Sequence, residues 1–342
     1  MLKIAIIAHA GIDIGIGHYF RTYNFLKKLL MTSYDVRFNY FLISELELSL
    51  PEGKKLEAIR ASSFDEIKLE KFDIIFLDLL FCTFSQIERV RENCKILVSL
   101  SPIFNHFEQV DLLFTREEPK DIFLNIDSVP TTFVGCDYAI LGPNAIRISA
   151  GHYESVLYQR KPSIGICMGG TDPQNLTYKL LEILCQWNKT AIFWVALSNS
   201  YPHDINILRS MISQDSKHEI VLATTYRSLW DVMSNCSLIL LQGGVSTYEA
   251  IYAGLPSINF PKSSDTSFLL RSFQNNSLGW VFDSIEALSN GDILDQIFSQ
   301  KSKLMSTHIA CKAYLDDQSS YRIFDICLEY LNKASIINNY KC

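Results

Sequence analysis

Leu238-Ile-Leu-Leu-Gln242-Gly243-Gly244-Val245-Ser246-Thr247-Tyr248-Glu249-Ala250 is the stretch on which the reading of this chain turns. Residues 238–241 form an uninterrupted apolar run, short enough for a strand buried on both faces. The glycine pair marks a turn, and the residues behind it continue as a helix. Strand, glycine turn and helix in that order make half of a parallel α/β unit. Glycines at such a turn permit positive φ and let the backbone approach a ligand closely. The helix start offers free N–H groups and a partial positive charge to an anion. Gln242, Gly243 and Gly244, with the Ser246 and Thr247 hydroxyls, are therefore a candidate pyrophosphate cradle. Glu249 is a candidate acceptor for two ribose hydroxyls. Ser246 and Glu249 also have the S-x-x-E spacing of a capping box, which accounts for both residues without any ligand. One Glu249 rotamer cannot serve both roles.

The same rhythm of short apolar runs and longer amphipathic stretches extends outward in both directions. Strands are expected at residues 3–8, 36–43, 74–80, 96–100 and 112–115, and again at 163–168, 191–197, 219–223, 238–241 and 257–260. Residues 19–30 carry Phe20, Tyr23, Leu26, Leu29 and Leu30 at helical spacing, so they read as a helix with one buried face. The pattern breaks between residues 142 and 162, with Gly142-Pro143, Gly151 and a polar run. The expected organisation is a Rossmann-like domain over residues 1–145, a connection at 146–162 and a second Rossmann-like domain over 163–310. A helical tail over 311–342 follows, its last helix returning to the first domain. Ligands of such sheets bind where strand C-terminal ends meet helix N-termini.

Two more glycine turns occupy such places. Ile14-Gly15-Ile16-Gly17-His18-Tyr19-Phe20-Arg21 links the first strand to the first helix. Gly15 and Gly17 allow close approach to a ligand, and His18 lands at the helix start. A neutral imidazole there can take a proton from an attacking water or hydroxyl. A turn histidine that caps the helix is the plain alternative. Gly169-Gly170-Thr171-Asp172-Pro173 follows the strand that opens the second domain. Paired glycines ahead of a helix make a phosphate-sized nest, while Thr171 or Asp172 can cap a helix beginning at Pro173. Asp13 and Asp78 lie near strand ends, as acidic groups of a cleft or as caps. His9, His106, His152, His203, His218 and His308 have no ligand spacing with one another and read as structural or surface residues, so no metal site is expected. Neither a G-x-S-x-G elbow nor a P-loop occurs. A dinucleotide fingerprint is disfavoured because Phe20 stands at the third glycine position, where it would crowd the helix–strand contact.

Composition narrows the function classes. A chain of 342 residues exceeds one average core and suits two domains. With 48% hydrophobic and 20% charged residues it can bury such cores. The net charge of -6, without a dense run of Lys and Arg, argues against a nucleic-acid footprint. Nine scattered cysteines with no CxxC pair suit free thiols in a reducing cytoplasm. Residues 1–8 are too short an apolar run for a signal peptide, and no run reaches the roughly 18 residues of a membrane span. A cytoplasmic protein is expected, with peripheral membrane contact left open.

The three turns, in this order, resemble the sugar-nucleotide hydrolase of pseudaminic acid biosynthesis (PseG) and its SpsG-like relatives, and more distantly the MurG group of glycosyltransferases. The matching elements are Gly15-Ile-Gly-His18-x-x-Arg21, Gly169-Gly-Thr-Asp-Pro173 with Asn175-Leu-Thr177, and Gly243-Gly-x-Ser-Thr247 with Glu249-Ala250 and Gly254-Leu-Pro256. Gly135-Cys-Asp-Tyr-Ala-Ile-Leu141 is a weaker match, and the resemblance spans roughly residues 1–285. It implies a GT-B fold, two Rossmann-like domains facing a cleft, and a UDP-sugar donor whose uracil and ribose rest on the second domain. Glu249 would hold the ribose and His18 would activate the attacking oxygen. Gly15, Gly17, Arg21, Gly169, Gly170, Thr171 and Asp172 would meet the rest of the substrate. Inverting chemistry without metal or cofactor is implied.

Three places depart from the hydrolases. Leu77-Asp78-Leu79-Leu80 lacks the tyrosine of their Asp-x-Tyr, Leu100-Ser101-Pro102-Ile103 lacks their paired aspartates, and Lys262-Ser263-Ser264-Asp265 replaces an Asn-Gln pair. The nucleotide side is kept and the sugar or acceptor side rewritten. The expected activity is cleavage of the anomeric C–O bond of a UDP-sugar in bacterial surface-glycan biosynthesis, by transfer to a glycan or lipid-linked acceptor. Hydrolysis, with water as acceptor, is the alternative, and a non-catalytic nucleotide-sugar binding protein is the third class.

Overall fold

The nine residues Leu2–Ala10, apolar except at Lys3 and His9, form strand β1 in the middle of a parallel sheet. Such a run suits a strand covered on both faces. In the computed structural model, β2 (Val36–Ser44), β3 (Leu56–Ala61), β4 (Phe72–Asp78), β5 (Cys94–Ser99), β6 (Leu112–Thr115) and β7 (Thr131–Val134) complete it in the order β3-β2-β1-β4-β5-β6-β7. The structure describes all residues except 102–104, 118–129, 143, 225–227, 263–266, 268–269 and 340–342, and the side chains of 334–339. Pro102, Ile103, Pro143, Ser263, Ser264 and Asp265, read above from the sequence, lie outside the described residues.

Side-chain alternation along β1 assigns its two covers. Ile4, Ile6 and Ala8 pack with Phe25, Leu26 and Leu29 of helix α1 (Gly17–Leu30) and with Phe324 and Cys327 of the last helix, Ser319–Asn339. Ala5 and Ile7 pack on the opposite face with Ile87 and Val90 of α2 (Phe84–Glu92).

The second sheet is built the same way. Its strands are β8 (Ser163–Cys167), β9 (Ile192–Ala196), β10 (Glu219–Ala223), β11 (Leu238–Leu241), β12 (Ser257–Asn259) and β13 (Gly279–Val281), ordered β10-β9-β8-β11-β12-β13 and parallel throughout. Phe193, Trp187, Trp230, Leu180 and Leu184 are among the large side chains of its core. In each sheet the strand order reverses beside the first strand, between β1 and β4 and between β8 and β11. These are the switch points at which doubly wound sheets bind ligands.

The chain divides into a unit of Met1–Pro143 with Asp316–Cys342 and a unit of Asn144–Leu315. Residues 146–162 are therefore not a bare connection. They contain α3 (Ala150–Leu157), whose buried Tyr153 donates to the Ser237 carbonyl (2.9 Å) and stacks on His308 at 4.4 Å. The expected tail over 311–342 also splits, because the helix Lys301–Tyr314 lies in the second unit and only the chain from Asp316 onward lies in the first. No helix among the described residues is long and apolar enough to cross a membrane.

One turn of the second unit has little steric freedom. Gly254 ends α7 (Val245–Ala253) at φ 80°, and a Cβ there would stand 2.5 Å from Lys312 Cγ and 2.9 Å from His308 Nδ1. Gly254→Ala is expected to cost about 2 kcal/mol or more in chemical denaturation, the left-handed penalty plus displacement of His308. A wild-type denaturation midpoint would mean that the turn relaxes freely.

Candidate functional site

The first switch point gathers charges that the sequence separates by sixty positions. After β1 the chain makes a small closed loop, with Gly15 N–H donating to Gly11 O at 2.8 Å and Ile12 N–H donating to Glu45 Oε1 at 2.9 Å. Gly15 takes φ 83° and the chain then enters α1 at Gly17. His18 is thus the second helical residue. Asp78 ends the neighbouring strand β4, paired with Ala8 in the register.

His18 Nδ1 lies 2.6 Å from Asp78 Oδ1, and Arg21, one turn further along α1, grips the same carboxylate with Nε at 2.6 Å and Nη2 at 2.5 Å. Asp78 is 0% exposed and the His18 side chain 13%. Burial by itself would raise the Asp78 carboxyl. The Arg21 and His18 charges and their hydrogen bonds outweigh it and hold the group below the usual carboxylate range. An ionised carboxylate only accepts, so the imidazole hydrogen is on Nδ1 and the lone pair is on Nε2. That tautomer makes His18 a base oriented by an anion. Asp78 caps no helix, and Asp13 is exposed at the loop tip. Phe20 points outward, 46% exposed, so it does not crowd the sheet as the dinucleotide comparison anticipated.

His9 adds a second imidazole, one residue beyond the end of the β1 register with β4. Burial first, then the nearby His18, push its pKa down from 6.5 to about 4, with Asp78 opposing them. Its sequence gave no signal beyond a polar residue in an apolar strand.

The second switch point has two glycine turns. Gly169 takes φ 97°, and the Gly170 carbonyl accepts from Ser198 Oγ. Thr171 and Asp172 are buried. The expected helix start at Pro173 is not observed. Helix α4 runs Leu176–Cys185 after Asn175, which adopts φ 53°, and Asp172 itself has φ 42°. Asp172 nevertheless satisfies the helix from outside, its two oxygens accepting from Leu176 N–H (2.7 Å) and Thr177 N–H (2.8 Å). The positive end of α4 therefore already holds a carboxylate.

The α7 end carries no such charge, since its first turn has no acidic residue. The Ser246–Glu249 capping box is not formed. Gly244 is the N-cap residue, and its N–H donates to Thr247 Oγ1 (3.1 Å), which in turn donates to Asn259 Oδ1 (2.7 Å). Thr247 is thereby committed to holding the turn. Ser246 and Glu249 sit three apart on the partly exposed side of α7, while Thr247, Tyr248, Ala250 and Ile251 are buried. Glu249 Oε2 accepts from Trp230 Nε1 at 3.2 Å, an anchor contributed by helix α6 (Leu229–Met233) that sequence spacing did not reveal. Gln242 is buried, and a Cβ on Gly169 would meet its Oε1 at 3.6 Å, so the two turns face each other across β8 and β11.

The eight described cysteines are free, and burial raises the thiol pKa of Cys82, Cys94, Cys185 and Cys311 to about 12, against nucleophilic use.

The depressed His9 pKa has a consequence for stability. The unfolded chain takes up this proton as pH falls below 6.5 and the folded chain only near 4, so folding stability drops across that window. Between pH 7 and pH 5 the His9 contribution is about 2 kcal/mol. His9→Gln is expected to remove that part of the acid loss, read as a smaller shift of the thermal midpoint than in wild type. An equal shift in both proteins would mean that His9 titrates normally.

No family model matches the chain. It is 23% identical over 267 residues to an uncharacterised protein of Methanocaldococcus jannaschii, covering 75% of this chain but only 55% of that protein. It is 22% identical to the spore coat polysaccharide biosynthesis protein SpsG of Bacillus subtilis over 90% of both chains. Among solved structures, sucrose-phosphate synthase of Thermosynechococcus elongatus matches with a TM-score of 0.64 at 10% identity, over 97% of this chain and 100% of that one. MnaA of S. aureus, solved with UDP, matches at 0.63 and 12% identity over 97% of both chains. MurG of Acinetobacter baumannii matches at 0.54 and 10% identity over 96% and 100%. By sequence the chain is similar to SpsG, and by fold it is a GT-B protein with two Rossmann-like domains.

Proposed function

We propose that this chain cleaves the anomeric C–O bond of a UDP-sugar in surface-glycan biosynthesis, passing the sugar to an acceptor hydroxyl. The observation that carries the reading is the Asp78-locked tautomer of His18, which leaves Nε2 free to take a proton. In the proposed step, His18 removes the acceptor proton as the oxygen attacks the anomeric carbon, and UDP departs from the opposite face. A single displacement of this kind inverts the anomeric centre. Asp78 steadies the imidazolium that forms. The diphosphate is assigned to the Gly243-Gly244 turn, the Ser246 hydroxyl and the start of α7, because Asp172 already fills the start of α4. Glu249, held by Trp230, accepts from the ribose hydroxyls. The likeness in fold to MnaA with UDP and the sequence likeness to SpsG support a nucleotide-sugar substrate. The buried free thiols fit a reducing cytoplasm.

Hydrolysis is the second reading, favoured by the intact Gly15-Ile-Gly-His18-x-x-Arg21 turn and by Asp78 in contact with it. The chemistry differs only in what attacks. UDP release is to be measured from a panel of UDP-sugars, first without acceptor. A transferase stays nearly silent until an acceptor is added, whereas a hydrolase releases UDP at once and places solvent oxygen on the anomeric carbon. UDP binding with no turnover under any condition would leave a binding protein only.

His18→Ala is expected to lower turnover about 10²–10⁴-fold while leaving the Kd for UDP within a few-fold of wild type. Undiminished turnover would reduce His18 to a residue of the turn. Glu249→Ala is expected to raise the Kd for UDP about tenfold or more, the worth of a hydrogen bond to a charged group. Equal affinity would leave Glu249 a partner of Trp230 alone.

A further inference from the structure

His9 stands at the edge of the His18–Asp78 cluster without a partner of its own. It is 7% exposed, yet its Nδ1 is buried with no hydrogen-bond partner among the described residues. A buried polar atom left in this way is unfavourable, and most such atoms in native proteins are paired. The His9 ring lies 5.6 Å from the ring of Phe81, inclined at 56°. Phe81 follows β4 by three residues and is 58% exposed. The exposed Phe81 ring therefore stands beside an imidazole that lacks a partner, near the His18–Asp78 cluster.

A pyranose matches that pairing, since it offers a face of C–H groups and a rim of hydroxyls. An oxygen activated by His18 must come within about 3–3.5 Å of the anomeric carbon before it reacts. The sugar ring then lies against the residues flanking His18, whichever acceptor supplies the oxygen. His9 is neutral near pH 7, so it meets a hydroxyl as a hydrogen-bond partner and adds no cation beside the base.

We propose that His9 and Phe81 form the subsite for the transferred sugar, Phe81 lying against its C–H face and His9 binding one of its hydroxyls. The inference rests on the nucleotide-sugar reading above and deepens it, because it names residues responsible for sugar choice. Neither role was visible in the sequence, where His9 read as structural and Phe81 carried no pattern.

The test is calorimetric binding of UDP, UDP-glucose, UDP-galactose, UDP-N-acetylglucosamine and UDP-N-acetylgalactosamine to wild type, His9→Ala and Phe81→Ala. Phe81 is largely exposed, so its variant guards against a result caused by misfolding. At least one UDP-sugar is expected to bind wild type tenfold or more tightly than UDP. Both variants should bring that sugar to within twofold of UDP while binding UDP itself as wild type does. A preference for the sugar that survives in Phe81→Ala would overturn the proposal. So would a wild type that binds UDP and all four UDP-sugars equally, although UDP binding would then leave the nucleotide reading standing. Absence of any UDP binding would overturn both.

Discussion

A carboxylate with no solvent contact stays ionised only where a cation and hydrogen-bond donors offset its burial, and Asp78 is such a group. Arg21 binds both its oxygens and His18 approaches one of them, so the three residues make a closed electrostatic unit. Removing Arg21 would leave buried charge uncompensated, which is far costlier than the loss of a surface pair. The unit also spans two elements of the fold, since two members lie on α1 and the third ends β4. It ties the start of the helix to the switch point of the sheet. The same tie leaves Nε2 as the imidazole nitrogen that would face the attacking oxygen in the proposed step. Fold and chemistry meet in one interaction, and the rest of the N-terminal site is arranged around it.

The second unit solves a different problem with different material. Its proposed ligand is a diphosphate, which backbone N–H groups bind as well as any side chain does. Two strand-to-helix turns compete for that role. Asp172 withdraws one of them by placing its own carboxylate on the first N–H groups of α4. At α7 the structure does the reverse. Thr247 and Asn259 hold Gly244 from below with buried hydroxyl and amide groups, and no acidic residue enters the first turn. A neutral network fixes the geometry there, and the positive end of the helix is kept for something else.

What could be read in advance follows the same division. Central strands such as β1, β4, β8 and β11 are buried on both faces, so their apolar runs stand out. The strands that escaped are β3, β7 and β13, each at a sheet edge. An edge strand is half solvated, and Leu56–Ala61 carries Glu57 and Arg60 where a central strand would be apolar. Glycine turns were legible because backbone freedom is a local property. The Asp78–Arg21–His18 contact was not, because its partners lie 57 and 60 residues apart. Two local patterns misled for a related reason. Pro173 and the Ser246–Glu249 spacing both look like helix starts. The true starts depend on left-handed Asp172 and Asn175, and on a tertiary partner for Thr247. Trp230 reaches Glu249 from another helix, again beyond any local pattern.

The register of β4 shows how strictly the site is bound to the core. Ile74 and Phe76 face α1, with Asp78 next in the same alternation, while Ile75 and Leu77 face the other layer. A slip of one residue would exchange the two sets. Leu77 or Leu79 would then stand under His18, and the Asp78 anion would enter the apolar layer that holds Ile7, Ile87 and Val90. The apolar alternation alone discriminates weakly here, because both faces of β4 are hydrophobic and nearly any register buries them. Asp78 supplies what the pattern lacks, a residue that tolerates one position only. The polar group at the end of the strand thus specifies the pairing of β4 with β1, as well as orienting the His18 imidazole.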